Sequence, residues 1–61
     1  MEKYYNEIDK ILKEYENGKS WHSKSITWVV DRIEWCWKWK KITSEQTEEF
    51  SNRVVTILEN N

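Results

Sequence analysis

Sixty-one residues, 38% hydrophobic and 34% charged, suit one small folded domain and exclude a disordered tail. Ten Lys and Arg against eleven Asp and Glu leave a net charge of −1, without the basic excess of a typical nucleic-acid-binding domain. No uncharged apolar run exceeds that of Trp28-Val29-Val30, which excludes a membrane span of about 18 residues or more. No leader is expected from Met1-Glu2-Lys3-Tyr4, and the single cysteine forms no internal disulfide, so a reducing cytoplasm is the expected compartment.

With no proline and one glycine, the chain reads as helices joined by short connections. The first helix is predicted over about 2–17. Tyr4, Ile8, Ile11, Leu12 and Tyr15 recur at the three- and four-residue spacing of one helix face. Asn17-Gly18 stops it, because glycine accepts the left-handed conformation that ends helices. Residues 18–25 form a polar loop holding Trp21 and His22, in which Ser23 or Ser25 is placed to cap the next helix.

The second helix is predicted over about 24–40. Ile26, Val29, Val30, Ile33, Cys36 and Trp37 fall within roughly 120° of one another and form the expected core face. The β-branched pairs Ile26-Thr27 and Val29-Val30 allow a strand locally, but the sustained helical period outweighs it. The third helix is predicted over about 44–59, opened by a Thr43/Gln46 capping box and carrying the stripe Phe50, Val54, Ile57 and Leu58. Glu45, Glu48 and Glu49 occupy its first turns, where the helix dipole favours carboxylates. The fold class is therefore all-α: a three-helix bundle forming one domain over 1–61, whose small core dimerisation would complete.

Charge is segregated along the chain. Residues 21–42 hold five basic and two acidic groups, a net +3; residues 43–61 hold one basic and four acidic, a net −3. A positive middle helix between two negative ones favours packing them as neighbours.

Five tryptophans in 61 residues need an explanation. Trp37 falls within the core stripe, but Trp28, Trp35 and Trp39 lie roughly opposite it, with Arg32 beside them. A helix in a closed bundle buries one broad stripe and leaves its reverse polar. The face Trp28, Arg32, Trp35 and Trp39 is therefore expected to be a protein interface, since exposed aromatic patches mark interaction sites and Trp and Arg dominate binding hot spots. A homodimer pairing two such faces is the simplest interface; a foreign protein is the other. The competing arrangement places helix 2 between the other two, with the tryptophans filling a thin layered core.

No catalytic constellation is visible. His22 is a lone loop histidine, and Cys36 at the edge of the core face reads as a small hydrophobe. One His and one Cys do not make a zinc site, and one glycine does not make a phosphate-binding loop. No enzyme activity, metal or cofactor is expected. The nucleic-acid alternative is a helix-turn-helix-like protein using Lys38, Lys40 and Lys41 in Trp37-Lys38-Trp39-Lys40-Lys41. Against it, the would-be recognition helix opens with three carboxylates, offset by Arg53 alone. A membrane-surface role is not expected, because Asp31 and Glu34 interrupt helix 2.

The stretch Trp35-Cys36-Trp37-Lys38-Trp39-Lys40-Lys41-Ile42-Thr43-Ser44-Glu45-Gln46, with the Lys/Glu/Asn/Ile-rich and proline-free composition, resembles small helical proteins encoded by phages and prophages of low-GC bacteria. The resemblance implies an accessory protein that acts by binding a host or phage protein. Some proteins of that kind block host enzymes or defence systems, CRISPR nucleases included. It assigns no residue roles.

Overall fold

The computed structural model describes residues 2–60; Met1 and Asn61, the ends of the expected 1–61 domain, lie outside the described residues. Three helices, α1 (Lys3–Glu16), α2 (Ile26–Lys38) and α3 (Ser44–Glu59), each pack against both others in a compact bundle. No helix is sandwiched between the other two, so the layered arrangement is not adopted.

The helix ends follow local chemistry. The Ser25 side chain accepts the Trp28 N–H at 3.1 Å and sets the start of α2 at Ile26, two residues later than the apolar period suggests. Thr43 and Gln46 form the reciprocal capping box of α3, both bonds at 3.0 Å. At the end of α1, Gly18 takes φ 71°, and the Gly18 and Lys19 N–H groups donate to the carbonyls of Tyr15 and Glu14. The end of α2 has the same pattern without a glycine. Lys40 takes φ 57°, while the Lys40 and Lys41 N–H groups donate to Trp37 and Cys36. Both are Schellman terminations, and the second ends α2 at Lys38, two residues earlier than expected.

The core is Ile8, Ile11 and Leu12 of α1, Val29, Ile33 and Cys36 of α2, Phe50, Val54 and Ile57 of α3, and Ile42 from the α2–α3 connection. Tyr5 stacks on Phe50 with centroids 4.9 Å apart. Burial pushes the Cys36 thiol pKa up, as befits a small hydrophobe. The expected core positions Val30, Trp37 and Leu58 are instead 44%, 50% and 53% exposed. Each lies on the flank of its stripe along the α2–α3 seam. Three helices close around the centre of each stripe and leave that outer flank uncovered.

Arg53 fastens α3 to α1. Its guanidinium donates to both Glu16 carboxylate oxygens at 2.7 and 2.9 Å, to Asp9 at 2.7 Å and to Glu49 at 3.1 Å. These bonds, Glu16 foremost, raise the Arg53 pKa further. The loop is fastened by Glu14, which is buried in α1 and accepts the Ser23 N–H at 2.7 Å and hydroxyl at 2.8 Å. His22 stacks on Tyr15 with centroids 3.8 Å apart and planes 6° apart, so it is half-buried rather than free in solvent.

Candidate interaction site

The spacing Trp28, Arg32, Trp35, Trp39 puts one side chain per turn along the flank of α2 that faces the start of α1. α1 supplies Tyr4, whose ring lies 5.9 Å from that of Trp35, and Glu7, which accepts the Arg32 Nε–H at 3.0 Å. The sequence-predicted residues are therefore together on one surface, which α1 partly covers. Trp28 and Arg32 are half-buried, and Trp28 packs against the core. Trp35 is 39% and Trp39 56% exposed.

Cations interleave these rings. The Arg32 guanidinium lies 4.7 Å from the Trp35 centroid, 5.5 Å from Tyr4 and 5.9 Å from Trp28. Lys24 lies 5.2 Å from Trp28 and Lys38 5.8 Å from Trp39. Lys3 and Lys41 approach the Tyr4 ring at 5.9 and 5.6 Å. Each such contact contributes about 0.5–1 kcal/mol at an exposed site and orders the side chains it joins. The acids at this face are Glu7, taken up by Arg32, and Asp31, which with Trp28, Arg32 and Trp35 lines a shallow depression of about 250 Å³. The result is a cationic aromatic surface on a chain whose net charge is −1.

Tyr4, Lys3, Lys24 and Lys41 are the site members that the α2 pattern alone does not mark. Tyr4 reads as a core position of α1, but it lies at the end of that stripe, where it packs against the edge of the core and meets Trp35. Lys38, Lys40 and Lys41 are all exposed at the α2–α3 corner beside Trp37 and Trp39. Arg53, the one base in what would be the recognition helix of a helix-turn-helix, is held by three carboxylates and is only 18% exposed. That arrangement has no free cation on α3 to offset Glu45, Glu48 and Glu49.

Trp21 stands apart in the loop, 72% exposed. Among the described residues, no group of three or more His, Cys, Asp or Glu side chains is arranged to hold a metal, and no helix is long and apolar enough to cross a membrane. No protein family, curated protein or solved structure matches this chain. It is a small three-helix protein with exposed tryptophans.

Proposed function

We propose that this chain is a non-enzymatic protein-binding module. Its binding surface is the face built on Trp28, Arg32, Trp35 and Trp39, extended by Tyr4 and the surrounding lysines. The observation that carries the reading is the stacking of Arg32 on Trp35 at 4.7 Å within a row of cation–ring pairs. Large rings supply contact area at small entropic cost, and fixed cations supply orientation and steering.

The same geometry disfavours pairing two copies of this face. Self-pairing would set Lys3, Arg32, Lys38 and Lys41 against their own like charges, which is destabilising. An acidic protein surface with apolar side chains among its carboxylates is the better complement. A small rigid bundle of this kind would act on a host or phage protein by occupying such a surface, as a binder or inhibitor.

Selection of random peptides displayed on phage against the purified protein tests this. The expected result is an Asp/Glu-rich consensus containing apolar residues, with binding lost in Trp35→Ser/Trp39→Ser and kept in Trp21→Ser. A neutral or basic consensus among the peptides that the double substitution releases, or the absence of any peptide that it releases, contradicts it.

The second reading, nucleic acid on the Trp37–Lys41 corner, draws on the exposed rings and lysines alternating there. It predicts salt-dependent oligonucleotide binding that weakens when Lys38, Lys40 and Lys41 are replaced by Gln. Absence of binding at low salt removes it.

A further inference from the structure

A second apolar surface lies on the other flank of α2. Val30, Ile33, Glu34 and Trp37 of α2 face Ser51 and Val55 of α3 across a groove of about 380 Å³. Leu58, on the same flank of α3, continues the apolar strip. We infer that this α2–α3 groove is a homodimer interface, filled by the same groove of a second copy.

Three observations point to a second copy rather than a charged partner. First, the groove is nearly free of charge: Glu34 is the one ionisable residue among those lining it. Among the described residues no ion pair joins α2 to α3, whereas Arg32–Glu7 and the Arg53 cluster fasten α1 to its neighbours. A charged partner therefore finds only Glu34 to complement here, and an apolar surface fits better.

Second, the groove carries its own ligand. Trp37 stands half-exposed at one end, while Val30 and Val55 lie near the other, two turns of α2 away. A two-fold axis across the middle of the seam places each indole on the Val30–Val55 end of the partner. The contact is then closed and isologous, which stops growth at two copies.

Third, the area suffices. The bundle measures 31 × 19 × 16 Å and exposes 4639 Å². One long face amounts to roughly a fifth of that surface, on the order of 900 Å², so burying most of it reaches the roughly 800 Å² per partner of stable complexes. The apolar centre is formed by Val30, Trp37, Val55 and Leu58, four of the seven large hydrophobic residues left exposed among the described residues. The two Glu34 carboxylates would meet near the axis and weaken the pairing, so neutralising them should tighten it.

The interface is independent of the cationic face, and the test separates them. Sedimentation equilibrium from micromolar to millimolar protein is expected to show the mass rising from 7.6 kDa toward twice that value. Val55→Lys and, independently, Val30→Lys should hold the monomer mass at every concentration with unchanged helical circular dichroism. Glu34→Gln should lower the dimer dissociation constant several-fold, and Trp35→Ser/Trp39→Ser should dimerise as the parent does. A parent chain that stays at 7.6 kDa throughout overturns the inference. So does a dimer that survives both lysine substitutions, or one lost in the Trp35/Trp39 variant and kept in Val55→Lys. Only peptides lost in Trp35→Ser/Trp39→Ser report on the cationic face, and only the Val30 and Val55 variants report on the dimer, so failure of either proposal leaves the other standing.

Discussion

Lys40 occupies a position that glycine ordinarily fills. At φ 57° its Cβ crowds the following carbonyl, and the Schellman bonds that close α2 hold it there. Gly18 does the same task at the end of α1 without that strain, and a Cβ added there would meet nothing within 4 Å. The two positions therefore predict opposite outcomes from purely conformational causes. Lys40→Gly should raise stability by up to about 1 kcal/mol, or several degrees in Tm, and Gly18→Ala should lower it by about 1 kcal/mol. Thermal melts of the two variants beside the parent check both signs. Acid sensitivity also belongs to single residues. The Ser23 amide and hydroxyl hold the Glu14 carboxyl below its ordinary pKa. Burial of Asp9 opposes its ionisation, but the bonds from Arg53 and Lys13 outweigh that and lower its pKa as well. A carboxyl with a lowered pKa contributes stability above its unfolded value, and that stability is lost as pH falls through the folded value. Stability should thus be level near neutrality and decline below about pH 4. Ser23→Ala should make the acid limb shallower, as followed by denaturant melts across pH.

At the scale of the element, α2 carries the argument, because it has a core stripe and two dissimilar flanks. The flank toward α1 is aromatic and cationic; the flank toward α3 is apolar and nearly uncharged. Replacing Trp35 and Trp39 by Ser removes rings that are 39% and 56% exposed but contact Arg32, Tyr4 and Lys38, so the cost to folding should be on the order of 2–3 kcal/mol while partner binding is lost. Equilibrium unfolding of that double variant checks the first part, and collapse of the fold would make these residues structural. The apolar period makes the helices and most of the core legible in sequence, and capping chemistry marks Thr43 and narrows the α2 cap to Ser23 or Ser25, of which the fold uses Ser25. It also places Trp28, Arg32, Trp35 and Trp39 on one side of α2. A helical wheel does not say how far round the helix its neighbours reach. Val30, Trp37 and Leu58 therefore read as core although they flank an open seam, and Trp28 reads as fully outward although α1 packs over it. Ile42 was hidden for another reason: it is buried from a connection, where no period exists to mark it. The early stop of α2 is equally silent, because a lysine in the left-handed region leaves no compositional sign.

For the whole molecule, the segregation of charge becomes spatial. Bases collect around the rings at the α1–α2 face, and acids collect around Arg53 between α1 and α3. That arginine ties down Asp9, Glu16 and Glu49, which would otherwise repel one another across the helix pair. Arg53→Met should cost on the order of 2 kcal/mol, since the cluster is only partly screened by solvent and Glu16 loses its partner, while Asp9 keeps Lys13 and Glu49 keeps the Tyr5 hydroxyl. Urea titration would show it, and a loss within the error of the parent would mean the cluster is incidental. A net charge of −1 therefore conceals a bundle with one cationic aromatic side and one acidic side.

The proposed function requires that the exposed rings stand open in a positive field, ready for an acidic partner. It is tested most directly by quenching tryptophan emission with iodide and with caesium at matched ionic strength, in a Trp21→Phe/Trp37→Phe background, each quencher normalised to free N-acetyltryptophanamide. Iodide is expected to quench more than caesium, and added salt to narrow the difference. Equal quenching, or stronger quenching by caesium, would contradict it.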